Sequence, residues 1–251
     1  MTFFRRVSHV CRVRGPSIRW PASGRHRGRF AHRSATGPDS VLRRRRAPSA
    51  GPDPQKVERT AESLTGPAEV VPLDITDEES IAALAERAGA FDHLVSTAAV
   101  PANGPLAELE LGAVQRAFAA KVIGPLLLAK HIADQVRDGG SFTFFSGFVG
   151  WRPAPGRTVM ATANGALAHL VQALAVEIAP VRVNAISPGI VDSGAWDKLD
   201  NEQAFLRDVA ESNLTRRVGA VDDLVQAVPF TITNPFVTGT VVHVDGGARP
   251  V

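Results

Sequence analysis

The sequence of 251 residues contains no tyrosine, a single cysteine and two methionines, and these shortages exclude several kinds of chemistry. Without tyrosine, no phenol can donate a proton in a reaction. The lone cysteine, Cys11, cannot form a disulfide within the chain. We find no apolar run of about 18 residues, so we expect no membrane span and a cytoplasmic protein. The seven histidines show no metal-ligand spacing, and we therefore predict no metal site.

Charge is distributed unevenly along the chain. Residues 1–50 contain 13 arginines, no lysine and one acidic residue, a net charge of +12, whereas residues 51–251 contain 15 basic and 24 acidic residues, a net charge of −9. Proline and glycine interrupt the first segment, which has no sustained hydrophobic period of two or 3.6 residues. We therefore predict that residues 1–52 are an Arg/Pro-rich, disordered segment and that residues 53–251 form a single domain.

Three interpretations of the basic segment remain open. Arginines can bind nucleic acid through phosphate contacts, and an Arg-rich, acid-poor start is also typical of a transit peptide. The third interpretation is an out-of-frame translation of a GC-rich gene, which gains weight from the motif pattern of the remaining chain. We therefore do not expect nucleic acid as a partner.

Strands and helices alternate after residue 53. Residues 70–73 are predicted to form a strand, Thr76 to cap a helix with Glu79 in the capping-box position, and Leu94 and Val95 to lie in the next strand. Long helices are predicted at about 107–135 and 157–178, and later strands in GGSFTFFSG, VRVNAISPG and TGTVVHVDGG. Apolar strands that alternate with helices predict an α/β fold, a doubly wound parallel sheet in three α/β/α layers.

Five short motifs follow one another in this region: Asp74 in LDIT, STAA at residues 96–99, Pro188-Gly189, Ser193, and VDGG at residues 244–247. In this order they resemble the short-chain dehydrogenase/reductase family. The resemblance implies a Rossmann-like domain and an NAD(P)-dependent oxidoreductase that acts on a small alcohol or carbonyl compound. In the family, the end of the second strand discriminates NAD from NADP. This position falls near Gly51, at the boundary of the Arg/Pro-rich segment, so the sequence does not indicate which dinucleotide is used.

The resemblance also implies which residues contact the dinucleotide. Asp74 is expected to hydrogen-bond the adenine amine, Pro188 and Gly189 to bracket the nicotinamide, and Ser193 to hold its carboxamide. The implied cofactor-binding residues are Asp74, Ile75, Ser96, Thr97, Ala98, Asn164, Pro188, Gly189, Val191 and Ser193. Taken singly, Asp74 could instead cap the following helix, and each glycine turn could be an ordinary one.

The catalytic segment departs from the family pattern. The resemblance places the family's proton-donating tyrosine and its lysine at Met160 and Asn164, which lie 14 and 18 residues after Ser146. A thioether has no proton to donate. Lys121 stands on the preceding helix where the family often has asparagine. We hypothesise that Ser146 orients the substrate oxygen, Lys121 supplies charge and a proton, and Asn164 holds the nicotinamide ribose; the alternative is that Lys121 and Asn164 only pack.

The start of the family pattern is also absent. The family begins with a strand and a Thr-Gly-x-x-x-Gly-x-Gly turn that binds the pyrophosphate. Gly24 and Gly28 have the first spacing, but Phe30 occupies the position of the last glycine. The first strand is central in the order 3-2-1-4-5-6, so its loss is expected to split the sheet and leave strand edges unpaired. We therefore predict poor folding and weak NAD(P) binding for the chain as written.

Two functional classes remain open. The first is an oxidoreductase with an atypical active site, and the second is a catalytically silent relative that binds a ligand or an active partner. The resemblance implies a lid after Pro188-Gly189, whose apolar residues could equally be core: Trp196, Leu199, Phe205 and Leu206. It also implies a homodimer or homotetramer that associates through the two long helices.

Overall fold

The computed structural model describes residues 10–13, 49–51, 70–194, 196–197 and 199–250. The strands in these residues are β1 (Val10–Val13), β2 (Ser49–Gly51), β3 (Val70–Pro72), β4 (Phe91–Ser96), β5 (Val136–Phe145), β6 (Arg182–Pro188), β7 (Val191–Asp192), β8 (Gly219–Ala220) and β9 (Val241–Val244). The α-helices are α1 (Glu78–Ala88), α2 (Leu111–Phe118), α3 (Gly124–Ile132), α4 (Thr158–Glu177), α5 (Glu202–Ser212) and α6 (Val221–Thr233). A π-helical turn, Ala119–Ile123, joins α2 to α3.

Seven strands form one sheet in the order β3-β2-β1-β4-β5-β6-β9. β2 pairs with β3 in parallel, and β4, β5, β6 and β9 also pair in parallel. β1 is antiparallel to both of its neighbours. The order matches the Rossmann-type arrangement, so the predicted α/β fold is confirmed with one strand reversed. A separate two-stranded sheet contains β7 and β8.

β1 occupies the central position that the sequence analysis expected to be empty. Val10 pairs with Ala50 of β2 and with Ser96 of β4. The sheet is therefore continuous, and the predicted split is wrong. The physical reason is that an antiparallel strand satisfies the N–H and C=O groups of its neighbours as a parallel strand does. β1 and β2 are two short parts of the segment predicted to be disordered, and both lie in the sheet. The remaining residues of that segment, among them Gly24, Gly28 and Phe30, lie outside the described residues.

The direction of β1 has a consequence for phosphate binding. Val10 lies beside Ser96 at the carboxyl end of β4, whereas Val13 lies beside His93, nearer the start of that strand. In this type of fold the phosphate-binding turn follows the first strand at the carboxyl edge of the sheet. β1 ends toward the opposite edge, so the reversed strand does not lead into a turn at the carboxyl end of β4.

Alternation along β5 separates the two faces of the sheet. Phe142 and Phe144 are buried, stack with their ring centroids 6.0 Å apart, and share a core cluster with Leu167 of α4. Thr143 points to the other face, where its hydroxyl hydrogen-bonds that of Thr231 in α6 at 2.9 Å. Successive residues of a strand face opposite sides, so this pattern places helices on both faces and confirms the three predicted layers.

Two predicted helix boundaries need correction. The helix predicted from residue 107 begins at Leu111, after a 3-10 turn at Leu106–Glu108. The cap of α1 is Asp77 rather than Thr76, because the Asp77 carboxylate accepts the hydrogen bond from the Glu79 N–H at 3.1 Å. The helix predicted at 157–178 is observed at Thr158–Glu177.

Two helical segments, Leu111–Gln135 and Thr158–Glu177, are long and apolar enough by composition to cross a membrane. The expectation that no apolar run of this length exists therefore does not hold. In the structure both segments pack on the sheet, with 33% and 39% of their most apolar windows buried inside the molecule. Core helices of soluble proteins have the same composition, so this is weak evidence for membrane insertion, and the expectation of no membrane contact stays a prediction.

A buried arginine that the sequence analysis did not single out fixes α6 on the sheet. Arg182, at the start of β6, is 6% exposed and donates hydrogen bonds to the carbonyls of Thr231 at 2.7 Å and Ile232 at 2.6 Å. These carbonyls belong to the last turn of α6, where no helical N–H is left to pair with them. A cation at this end also interacts favourably with the helix dipole.

The close contact between α3 and the segment after β3 predicts the effect of a single methyl group. A Cβ atom at Gly124 would lie 2.5 Å from Cγ1 and 2.6 Å from the carbonyl oxygen of Ile75. We expect Gly124→Ala to lower the free energy of unfolding by about 1–3 kcal/mol through overpacking. Urea unfolding followed by circular dichroism measures this change.

Gly165 of α4 is the matched control, because its Cβ would have only one neighbour, the Gly150 carbonyl oxygen at 4.0 Å. Gly165→Ala should be neutral or stabilise by up to about 1 kcal/mol, the difference in helix propensity. Equal destabilisation by both substitutions would contradict the assigned contact.

Candidate active site

The three residues predicted to be catalytic converge at the carboxyl end of β5. Ser146 follows this strand directly, Lys121 lies on the π-helical turn, and Asn164 lies in the middle of α4. The Ser146 hydroxyl donates to the Asn164 carbonyl oxygen at 3.1 Å, and the Lys121 ammonium donates to the carbonyl of Phe145 at 2.6 Å. The three side chains are all buried. The site predicted from distant parts of the sequence is therefore one cluster in space.

Asn164 packs against the loop that follows Ser146. A Cβ atom at Gly147 would lie 3.2 Å from Asn164 Nδ2, and one at Gly150 would lie 3.1 Å from Asn164 Cβ. The side chain is 3% exposed. Both glycines therefore allow the loop to approach the helix closely. The predicted contact of Asn164 with a ribose stays a prediction.

Met160 lies one turn before Asn164 on the same face of α4. It is 7% exposed and belongs to a small apolar cluster with Ala102, Ala117 and Val159. The position that carries the phenol in the family pattern is thus occupied by a packed thioether with no proton to donate.

The Lys121 ammonium is held without a carboxylate partner among the described residues. It is 4% exposed and donates to the carbonyls of Ala98 at 3.3 Å and Phe145 at 2.6 Å. Burial lowers the pKa of this ammonium from its ordinary value of 10.5 to about 8, because removal from water disfavours the charged form. An amine with this pKa can release a proton near neutral pH, as the sequence hypothesis requires.

The adenine side of the predicted cofactor surface begins at Asp74. Its side chain is exposed, and Oδ1 accepts hydrogen bonds from the backbone N–H of Thr76 at 2.9 Å and from the Thr76 hydroxyl at 2.7 Å. Asp74 therefore forms a local turn and does not cap α1, which excludes the simpler alternative. Because the Thr76 hydroxyl is engaged here, Asp77 becomes the cap.

The turn after β4 is built from small residues that lie mostly inside the molecule. Ser96 and Ala98 are buried, and Thr97 is half-buried. Ser96 Oγ lies 3.5 Å from the Ala98 N–H, and the Ala98 carbonyl accepts from Lys121. Ile75, also buried, lies where α3 crosses at Gly124. The turn after β4 is therefore packed against Lys121, and its predicted contact with the dinucleotide stays a prediction.

The nicotinamide side is formed by two turns in contact. The Gly189 N–H donates to the Val244 carbonyl at 3.0 Å. A Cβ at Gly189 would lie 2.8 Å from both Cα and the carbonyl oxygen of Asp245. The backbone of the Pro188-Gly189 turn therefore packs directly against that of VDGG. Neither sequence motif by itself indicates this contact. Val191 is buried at the start of β7, and Ser193 is exposed.

The predicted lid residues are partly exposed. The Trp196 indole N–H donates to the Val191 carbonyl at 2.8 Å, and its ring lies 5.0 Å from that of Phe205. α5, which contains Phe205 and Leu206, has no buried residue, and Leu199 is 40% exposed. These residues are therefore not core, and the segment after Val191 is attached through Trp196.

The described residues fit a dinucleotide at its two ends. Asp74 presents an exposed carboxylate and Ser193 an exposed hydroxyl, while Gly189 lets the turn after β6 pack directly on the backbone of Asp245. Residues 14–48, which follow β1, lie outside the described part of the chain. No group of three or more metal-ligating side chains occurs in the described part.

A sequence model of the family described as enoyl-(acyl carrier protein) reductase matches residues 49–249. The chain belongs to the short-chain dehydrogenase/reductase family, whose members use NAD or NADP. The match begins at β2 and ends after VDGG, so it covers every element of the candidate site.

Proteins of this family from fungi and bacteria are similar to the chain. A short-chain dehydrogenase/reductase of Acremonium sp is 36% identical over 132 residues, 51% of this chain and 50% of that protein. Another, of Stachybotrys chlorohalonatus, is 34% identical over 167 residues, 64% of each protein. The 1-cyclohexenylcarbonyl-CoA reductase of Streptomyces collinus is 27% identical over 203 residues, 77% of this chain and 72% of that protein. The chain thus spans between one half and two thirds of the length of the two fungal relatives.

Solved structures show the same fold. A small-chain dehydrogenase in complex with NADPH is 36% identical, with a TM-score of 0.70 over 77% of this chain and 91% of that chain. The MalC reductase/Diels-Alderase of Malbranchea aurantiaca is 25% identical, with a TM-score of 0.75 over 80% of this chain and 86% of that chain.

Several contacts at the site have no signal in the sequence. The partners of Lys121 are backbone carbonyls, which every residue carries, so no residue type at positions 98 or 145 could reveal them. The π-helical turn that holds Lys121 is not visible in an apolar helix pattern either. The close approach of Gly147 and Gly150 to Asn164 is the one contact with a clue, namely two glycines in a loop before a helix.

Burial of Lys121 predicts a pH dependence of stability. The folded pKa of about 8 lies below the ordinary value of 10.5. Between these values the unfolded chain binds more protons than the folded chain, so stability should rise with pH, by at most about 1.4 kcal/mol per pH unit. Below pH 8 both states are protonated and this dependence vanishes. Urea unfolding between pH 7 and 10.5 should show the rise in the wild type and its loss in Lys121→Met.

The exposed Lys130 supplies the control, since 61% of its side chain is in solvent. Lys130→Met should keep the wild-type pH dependence. Parallel curves for the wild type and Lys121→Met would mean that Lys121 titrates normally.

Proposed function

We propose that the protein is an NAD(P)-dependent oxidoreductase that acts on a small alcohol or carbonyl compound through an atypical active site. The observation that supports this most directly is the cluster of Ser146, Lys121 and Asn164 at the carboxyl end of β5. Ligands of open parallel sheets bind at this edge. The chain's membership of the short-chain dehydrogenase/reductase family supports the same reaction class.

A bound nicotinamide dinucleotide supplies or accepts the hydride. Asp74 would hold its adenine amine with the exposed carboxylate. The turn that contains Ser96, Thr97 and Ala98 would lie against the adenosine ribose, and Pro188 and Gly189 would bracket the nicotinamide. NADPH is the first dinucleotide to test, because a relative that is 36% identical was solved in complex with it.

Reduction of a carbonyl places negative charge on its oxygen, and that oxygen requires a proton. Met160 cannot provide one. We propose that the Ser146 hydroxyl turns from the Asn164 carbonyl to the substrate oxygen, and that the positive charge of Lys121 stabilises the alkoxide. The pKa of about 8 makes the Lys121 ammonium a competent acid at neutral pH.

A second candidate is a catalytically silent relative that binds a dinucleotide or an active partner. The packed Met160 and the reversed β1 favour it, because Met160 stands in the position of the phenol and β1 ends away from the carboxyl edge, where the family's phosphate-binding turn lies. The predicted weak binding of NAD(P) follows from the unmatched glycine motif and applies to either candidate.

Titration with NADPH and NADH followed by fluorescence, and then a panel of small aldehydes and ketones, separates the two candidates. The oxidoreductase should bind one dinucleotide and oxidise it in the presence of at least one carbonyl compound. Binding without turnover on any substrate supports the silent relative. Failure to bind either dinucleotide, oxidised or reduced, would refute both nucleotide-based proposals.

Ser146→Ala distinguishes turnover at the site from background oxidation. Loss of this hydroxyl should lower kcat by about 100-fold, the usual effect of removing one hydrogen bond to a developing oxyanion. The Kd of the dinucleotide should not change. Turnover that persists in Ser146→Ala would place the reaction elsewhere.

We further propose that the protein self-associates through the two long helices and works in the cytoplasm. Apolar side chains on these helices are exposed, with Ile123 at 49%, Leu126 at 46% and Val176 at 81%. Analytical ultracentrifugation should find a dimer or tetramer, and Leu126→Glu should shift it toward the monomer. A monomeric wild type would contradict the proposed association.

A further inference from the structure

Lys121 lies at a distorted point of an otherwise regular helix. The segment Ala119–Ile123 forms a π-helical turn between α2 and α3. Such turns insert one extra residue into an α-helix and occur frequently at functional sites. Here the turn directs the only buried lysine of the described residues toward the sheet.

The two acceptors of the Lys121 ammonium belong to neighbouring strands. Ala98 lies two residues beyond the end of β4, and Phe145 is the last residue of β5. These strands pair directly, with Ser96 opposite Phe144. The ammonium therefore links the segment that follows β4 to the last residue of β5, at the edge where both strands end.

Both bridged segments adjoin the proposed site. The turn held through Ala98 is the one that would lie against the dinucleotide ribose. The peptide held through Phe145 leads directly into Ser146, whose own N–H donates to the Ile186 carbonyl of β6 at 2.8 Å. The position of Ser146 is thus set by Lys121 on one side and by β6 on the other.

From this geometry we propose that Lys121 is a positioning residue, whose ammonium joins the turn after β4 to the end of β5 and so sets both the dinucleotide surface and the orientation of Ser146. This inference rests on the proposed dinucleotide binding. In this role Lys121 shapes the site before any reaction takes place, in addition to the charge that it would offer to the substrate oxygen.

The energetics favour this role. A buried ammonium with no carboxylate partner is costly unless its N–H groups are satisfied. Two of the three N–H groups of Lys121 reach carbonyl oxygens, and hydrogen bonds from a charged donor are stronger than neutral ones. The acceptors are backbone carbonyls at the ends of two neighbouring strands, so the bonds that satisfy the ammonium also tie these strand ends together.

Two substitutions separate positioning from proton donation. Lys121→Met keeps most of the side-chain volume and removes every donor, whereas Lys121→Gln keeps two N–H donors without the charge. We expect Lys121→Met to weaken NADPH binding by about tenfold or more, equivalent to at least one lost hydrogen bond of charged type. Lys121→Gln should recover a large part of this loss of binding, whereas a Lys121 that acted only through its charge or its proton would leave the Kd of NADPH unchanged in both variants. Lys130→Met, on the exposed side of α3, is the matched control and should bind as the wild type does.

Hydrogen exchange of the protein without ligand provides a readout that needs no dinucleotide. Lys121→Met should increase amide exchange in residues 97–104 and 146–150, and Lys121→Gln should restore part of the protection. Unchanged exchange in Lys121→Met overturns the inference, whether or not the wild type binds a dinucleotide. Failure of the wild type to bind a dinucleotide would separately refute the proposed function. Unchanged NADPH binding in a folded Lys121→Met also overturns it. If Lys121→Met does not fold, Lys121→Gln decides both measurements: a partial loss of protection in these residues with a partly weakened Kd supports the inference, and unchanged exchange with unchanged Kd overturns it.

Discussion

Parallel backbone pairing of β4, β5 and β6 places the ends of these strands at one edge of the sheet, and the candidate site exists because of it. Ser96 lies opposite Phe144, and Phe145 lies opposite Ile186. The turn after β4, Ser146 and the Pro188-Gly189 turn are therefore neighbours although about 90 residues separate the first from the last. A shift of one residue in any of these pairings would turn every side chain of the shifted strand to the other face of the sheet and remove the cluster.

Two buried cations, Lys121 and Arg182, act on opposite ends of this ladder by the same physical means. Each is held by backbone carbonyls rather than by a carboxylate among the described residues. A carbonyl dipole is a weaker partner than an anion, so burial lowers the pKa of both groups. Lys121 joins strand exits at the carboxyl edge, whereas Arg182 secures the last turn of α6 at the amino edge. The sheet thus has one charged anchor at the site and one away from it.

The reversed β1 shows that completing the sheet and binding the cofactor phosphates place different requirements on the first strand. A strand of either direction can complete the ladder between β2 and β4, since both directions satisfy the exposed N–H and C=O groups. Phosphate binding is more demanding, because it needs a turn at the carboxyl edge with its N–H groups directed at the ligand. The sheet of the family is therefore completed in this chain by a strand that ends away from the phosphate-binding edge. This distinction explains why fold and function must be tested separately.

The sequence by itself determined the absence of a phenol, the α/β alternation and the motif order that pointed to Asp74, Ser146 and Pro188-Gly189, because these depend on side-chain chemistry and local period. It did not determine the direction of β1, the cap at Asp77 or the partners of Lys121. The cap changed because the Thr76 hydroxyl bonds to Asp74, a choice between neighbouring acceptors that a capping pattern does not rank. β1 and Lys121 were decided by tertiary structure alone, since their partners are backbone groups that are the same in every residue and become available only when distant strands pair.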